Sequence, residues 1–337
     1  MAFEDRFNRA RFPVNLGVPV TFNLNPGLNM LRGNIIVAGT ATIAGGTTNG
    51  TAITEGGPVN LVKRIKVIAN KAAGSRYRGG ALVNCSAQSL LRYAITQRQG
   101  KYFAELSGST LGNGAVGVYP IYLSIPIYFG DTFNLNGVQT ALNMNPVDST
   151  GAPIYSAVQV QIDFAAALSE IFYGSDRTLT FAGTVQWDDV RLGLSSDTIP
   201  LVQEDHYSLI QAANEEFVDQ AMPNDGFFNQ WLILAQQGGP TWQLSDALLN
   251  RMEIRGASLN FRQWYEDLRQ SMFDEGFYDP NQNAIGQFLI DWTHGVLANS
   301  NAAAGLQHLI SINNPSGAGL DRLRIYTRRF FPLAPAA

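Results

Sequence analysis

Val-Asn-Leu-Val-Lys-Arg-Ile-Lys-Val-Ile-Ala at residues 59–69 and Asn-Gln-Trp-Leu-Ile-Leu-Ala-Gln at residues 229–236 decide the fold. Both runs are short, apolar and rich in the residue types that fit a pleated surface, so each reads as a strand. In the first, Val59, Leu61 and, after a shift in register, Ile65 and Val67 make an inner face, with Lys63 and Lys66 available to solvent. Each strand leads into an amphipathic segment, 86–97 in the first half and Leu244–Met252 in the second. Two further strands have counterparts in the same order. Tyr119–Phe129 (YPIYLSIPIYF) matches Gly286–Trp292 (GQFLIDW), and Val158–Phe164 (VQVQIDF) matches Leu306–Ile312 (LQHLISI). The order and type of elements repeat, without residue identity, which implies two similar all-β halves of about 165 residues.

Composition narrows the class. A chain of 337 residues is long enough for two domains. Charged residues make up only 15%, against about 25% in ordinary domains. So few charges imply a surface that is largely buried against other copies. The net charge of −4 argues against a protein that coats nucleic acid. The single cysteine, Cys85, excludes an intramolecular disulfide and a thiolate zinc cluster. No run reaches the roughly 18 apolar residues of a membrane span. The N-terminal MAFEDRFNRARFP has no apolar core of a signal peptide, so synthesis in a cytoplasm without ordinary export is expected. Arginine outnumbers lysine 19 to 4, the bias expected where guanidinium groups are buried or paired.

Along the chain, residues 1–13 form an arm in which Phe3, Phe7 and Phe12 interleave with Arg6, Arg9 and Arg11. Strands are expected at Val18–Leu24, Asn29–Ile43, Val59–Ala69, Tyr119–Phe129 and Tyr155–Ala165. Pro120 and Pro126 make the fourth of these an edge or bent strand. A helix over Ser86–Gln97 stacks Leu90, Leu91, Ala94 and Ile95. The second half opens with Thr178–Val185. Ser208 and Gln211 read as a capping box before a helix striped by Ile210, Ala213, Phe217, Val218 and Ala221. Asn260 and Gln263 read as a second, before a helix striped by Phe261, Trp264, Tyr265, Leu268 and Met272. Strands follow at Phe228–Ala235, 286–292, 306–312 and 323–330. The expected organisation is an arm at 1–13, a first β-domain at 14–168, a linker at 169–177, a second β-domain at 178–330 and a tail at 331–337.

Chemistry is sparse. None of His206, His294 and His308 has a metal-ligand spacing. Asp291 and His294 form the best local acid–imidazole pair, and a hydrogen-bonded structural histidine is the plainer reading. Asp188-Asp189 and Glu215-Glu216 are sequence neighbours, which do not face a common substrate. There is no phosphate-binding glycine loop and no nucleophile elbow. Arg322, Arg324, Arg328 and Arg329 alternate on the last strand as an intersubunit or nucleic-acid face. No catalytic, cofactor or metal residue is assigned.

The Phe/Arg arm, the early strands Val18–Leu24 and Asn29–Ile43, Leu61–Ile68 followed by a helix, Pro120–Asp131 (PIYLSIPIYFGD) and the restart after 178 together resemble one architecture. It is that of the double jelly-roll major capsid proteins of tailless icosahedral viruses. These include the adenovirus hexon lineage and the internal-membrane phages of tectivirus, corticovirus and finnlakevirus type. The resemblance implies two tandem eight-stranded jelly rolls with a few short helices in loops. It implies homotrimers of pseudo-hexagonal outline tiling an icosahedral shell, made in a host cytoplasm and located in the virion. Partners would be other copies of the chain and penton or minor capsid proteins. An internal lipid membrane would be reached through Phe3, Arg6, Phe7, Arg9 and Arg11. Loops 47–57, 108–117, 136–153 and 236–245 would form an outer tower. Neither a cofactor nor sequence-specific nucleic acid is implied. The readings from other classes are a carbohydrate-active β-sandwich, which would need coplanar exposed aromatics beside a carboxylate pair, and a tail, spike or minor virion protein.

Overall fold

The computed structural model describes residues 3–335, apart from 51, 55, 98–107, 131–138, 194–196, 211–217, 222–225, 257–258, 275–284, 292–306 and 313–320. The chain divides into two compact units. One holds Met1–Leu91, Tyr102–Gln203 and Phe330–Ala337; the other holds Arg92–Lys101 and Glu204–Arg329.

The first unit contains β1 (Phe3–Pro13), β2 (Val20–Leu24), β3 (Asn29–Ala44), β4 (Ala52–Ile53), β5 (Val62–Lys71), β6 (Gly80–Ser86), β7 (Gly117–Tyr128), β8 (Tyr155–Phe164), β9 (Phe172–Tyr173) and β10 (Thr178–Leu192). Helix α1 (Ala87–Gln97) follows β6. Eight strands form two antiparallel sheets, ordered β1-β10-β3-β7 and β6-β5-β8-β2. Alternation produces the inner faces. In β8, Val158, Val160, Ile162 and Phe164 are buried while the intervening residues are not. In β5, Ile65, Val67 and Ala69 are buried the same way. Helix α1 starts where the Ser86 hydroxyl accepts the Ser89 N–H at 3.1 Å, and it buries Leu90, Leu91 and Ala94.

Strand β10 was expected to open the second domain, yet it lies in the first unit. The reason is its partner: all 15 residues of β10 register with β3, from Thr178 opposite Ala44 to Leu192 opposite Asn29. The expected linker at 169–177 contains β9 and a tight turn at Leu168–Glu170, and the units divide at Gln203. Two close approaches let the long pair fit. The Trp187 ring lies over Gly33, where a Cβ would fall 2.3 Å from the indole. Nearer the other end, Gly39 faces Gly183 with the Phe181 ring across both.

The two ends of β3 carry different loops. At the Ala44 end, Gly114 packs on Asn49 and Phe172, bringing 108–117 and 47–50 together. Asp176 accepts the N–H groups of Thr47 (3.0 Å) and Thr48 (2.8 Å) there. At the Asn29 end, Met30 bridges Leu142, and Arg76 pairs with Asp148 (3.3 Å) and Asp197. Residues 139–153 therefore sit at the opposite end from 47–57 and 108–117, and the expected single tower of these loops is corrected. The hydrogen bonds of Met30 with Leu142 are the physical cause.

The second unit contains β11 (Leu201–Ile210), β12 (Val218–Ala221), β13 (Phe227–Gln237), β14 (Gln243–Leu244), β15 (Leu249–Gly256), β16 (Leu259–Trp264), α2 (Tyr265–Asp274), β17 (Gln287–Asp291), β18 (Gln307–Ile312) and β19 (Asp321–Phe330). Its strands fall into the orders β14-β13-β19-β11, with β17 also on β13, and β12-β18-β15-β16. The helix expected after Ser208 is replaced by strand on both flanks. Ile210 ends β11, and Val218–Ala221 pairs with Ile310–Gln307; Ala213 and Phe217 lie outside the described residues. Leu244–Met252 is likewise not helical, consisting of β14, a tight turn and β15. The helix expected from Phe261 starts at Tyr265, because Leu259–Trp264 pairs with Gly256–Arg251. Backbone partners from a neighbouring strand override a local apolar stripe in each case. Within α2, Tyr265, Leu268 and Met272 are buried as the stripe requires.

Substituting Gly33→Ala forces the buried Trp187 ring to move. The expected loss is about 1–3 kcal/mol of stability, read as a lowered thermal midpoint. A second outcome concerns pH. Thr48 and Thr47 N–H groups hold the Asp176 carboxyl below its usual range. The Thr150 side chain holds Asp148 down in the same way. Burial raises Glu170, but the Lys63 ion pair and the Ala166 N–H together outweigh it and lower it. Depressed folded values mean a contribution complete above the unfolded carboxylate range, near pH 4, and lost as pH falls through the lower folded values. Urea midpoints measured from pH 7 to pH 3 should hold steady to about pH 5 and then drop, with a shallower fall in Asp176→Asn.

Candidate functional site

The arm singled out by the sequence is a paired strand at the edge of the first unit's β1-β10-β3-β7 sheet. Phe3 registers with Leu192, Arg6 with Asp189 and Arg11 with Gln186. Phe7 and Arg9 fall in the register shift between Arg6 and Ala10. The exposed Arg11 donates from Nε to the Thr184 hydroxyl at 3.1 Å. Phe12 points the other way and stacks on Phe22 at 5.2 Å, and Phe22 meets Trp187 edge-on at 6.0 Å. The strand is thus tied to both sheets: backbone pairing to β10 and an aromatic ladder to β2.

Beneath it lies a polar pin that the sequence reading did not single out. Asp189 and Arg191 are fully buried. Arg191 donates from Nε to Asp189 Oδ1 (3.1 Å) and from Nη2 to Oδ2 (3.0 Å), while Trp187 Nε1 donates to Oδ2 at 3.3 Å. Arg191 Nη1 reaches the Asn25 carbonyl at 2.9 Å, fixing the turn after β2. The signal was present: Trp187, Asp189 and Arg191 are spaced by two, so they share one face of a strand.

The remaining candidates are held by structural partners. His206 Nε2 lies 3.2 Å from the Thr327 hydroxyl. Asp291 accepts from Gln230 Nε2 at 2.8 Å; His294 and Glu215-Glu216 lie outside the described residues. His308 registers with Gln220 and Ile254 in the second unit's smaller sheet. Asp188 accepts from Gln186 at 2.7 Å. The arginines of β19 divide. Arg329 pairs with Glu204, Arg328 donates to Tyr93 and to Gln230 Oε1 (3.0 Å), and Arg322 stacks on Trp242 at 4.2 Å and donates to Gln236 at 2.5 Å. Trp264, read from the sequence as a core or subunit-contact residue, is half exposed, with the Arg251 guanidinium 5.7 Å from its ring. Cys85 is buried in β6. Among the described residues, no three His, Cys, Asp or Glu side chains group as a metal site, and no helix is long and apolar enough to cross a membrane.

No family model and no curated protein matches the sequence. Solved structures do match. The major capsid protein of Sulfolobus turreted icosahedral virus aligns over 98% of this chain and 97% of its own, with a TM-score of 0.68 at 8% identity. The major capsid protein P2 of bacteriophage PM2 aligns over 98% of both chains, with a TM-score of 0.54 at 11% identity. The capsid structure of the virus PBCV-1 aligns over 98% of this chain and 93% of its own, with a TM-score of 0.56 at 10% identity. The chain is all-β and has the double jelly-roll fold of these proteins.

Asp189→Ala strands a buried guanidinium and should lose about 3–5 kcal/mol of stability. The double variant Asp189→Leu/Arg191→Met removes both charges and should recover much of that loss in urea unfolding.

Proposed function

We propose that the chain is a major capsid protein. The observation that carries this reading is the whole-chain match in fold, 98% of the chain at a TM-score of 0.68, to a virion shell protein. Composition supports it independently. With 15% charged residues, the chain is suited to large lateral contacts with other subunits. The reading requires no catalytic centre and no cofactor.

In this reading, three copies form a pseudo-hexagonal trimer, and trimers tile an icosahedral shell in the virion after synthesis in a host cytoplasm. Penton and minor capsid proteins complete the particle. The N-terminal strand, with Phe3, Arg6, Phe7, Arg9 and Arg11, faces the interior and meets an internal membrane where one is present.

Native mass spectrometry with negative-stain microscopy tests this. The expected result is a stable trimer with a pseudo-hexagonal outline. A monomer at micromolar concentration, without glycan affinity and absent from particles, overturns it. A monomer with glycan affinity favours a carbohydrate-active sandwich instead.

A further inference from the structure

The β1-β10-β3-β7 sheet has an inner face, closed by Trp187, Val185 and Val37, and an outer face. At the Asn29 end the outer face is covered: Val190 and Leu192 pack with Leu31 and Ala141. Toward the Ala44 end it is bare. The residues presented there are Thr180 and Ala182 on β10, Ala38 and Thr40 on β3, and Val118 and Tyr122 on β7. Among the described residues, charge reaches this face with the exposed Arg11, which donates to Thr184 beside Ala38, and with the buried Asp188. Val116, Val118 and Tyr122 are 58%, 66% and 57% exposed.

These side chains are held outward by construction. Tyr119 folds inward, its hydroxyl donating to the Ala115 carbonyl at 3.0 Å, and its ring occupies the space over Gly112 and Gly117. That fixes the 112–117 turn and leaves Val116 and Val118 on the opposite side. Pro120 lies in the same edge strand and carries no N–H, so addition of a further strand along β7 is disfavoured. A partner would instead lie on the face.

We infer that this bare outer face packs against another copy of the chain; the inference rests on the capsid reading. Charge and area select the occupant. A face this poor in exposed ionic groups discriminates against highly charged ligands and matches a surface equally poor in charge, which a chain with so few charged residues possesses. Three strands over residues 34–44 span roughly 35 Å by 15 Å, or about 500 Å² per partner. The total of about 1,000 Å² is the lower bound for a biological interface. That size fits a contact repeated many times in a closed assembly better than an isolated permanent pair.

The test compares wild type with Val118→Asp, Tyr122→Asp and Thr180→Asp, and with Val147→Asp as an exposed control, by native mass spectrometry and sedimentation velocity. Circular dichroism and thermal midpoints check that each variant folds. The three face variants should shift the concentration of half-assembly, for trimers or larger species, at least tenfold, and the control should not. If assembly of all three stays within twofold of wild type, the face is not a subunit contact and the capsid reading stands. If wild type itself is monomeric at every concentration and absent from particles, the capsid reading falls and this inference with it.

Discussion

Fifteen residue pairs between β3 and β10, broken only by a register shift between Val190 and Arg191, are the constraint on which the first unit depends. They join residues about 150 apart in sequence, so the closure entropy of that long loop must be met by interactions made in the folded state. Two kinds meet it. Burial supplies the larger part: Val185 and Trp187 on β10, with Ile35, Val37 and Ile43 on β3, are almost wholly removed from water, at about 1.5–3 kcal/mol for each large aliphatic side chain. Local fit supplies the rest, since two strands of this length twist and must be relieved where side chains would collide. Gly33 under Trp187 and the Gly39–Gly183 pair are those points of relief.

Much of this was legible along the chain and some was not, for a physical reason. Period-two alternation located β3, β5, β7 and β8 to within a few residues, because one face of each is buried and the other is not. Ser86 marked the start of α1 because its hydroxyl serves the first-turn N–H. By contrast, Val218 and Ala221 sit three apart on a strand, a spacing that also fits a helical stripe. Trp264 looked like the centre of a helical stripe and instead ends a strand, half exposed. Which strand β10 pairs with has no local signature, so the linker expected at 169–177 precedes the division at Gln203. The arm residues Phe3, Arg6, Phe7, Arg9 and Arg11 were conspicuous as a pattern, but their pairing with β10 depends on the same nonlocal geometry.

The arginine excess links composition to interior. A guanidinium presents a planar fork that can satisfy a carboxylate at two points and still donate to a carbonyl, which a lysine ammonium does less specifically. Arg191 does all of this at once with Asp189 and Asn25. Arg328 similarly joins Tyr93 and Gln230 in the second unit. Lysines take the wetter role: Lys63, half exposed, pairs with Glu170, and Lys66 approaches Asp163 at 3.9 Å.

Placing part of a small charge complement inside has a consequence for the outside. Each buried pair is a weak source of net stability, since desolvation offsets attraction, so its value lies in fixing one arrangement of strands and turns. Fixing the turn after β2 through Arg191 sets where β3 begins, and β3 in turn sets the register of β7. The side chains Val118 and Tyr122 are therefore held at defined positions by ionic groups on the far side of the same sheet. A surface that is poor in charge yet rigidly placed suits repeated, shape-dependent contact between identical subunits, because specificity that charge does not supply must come from geometry.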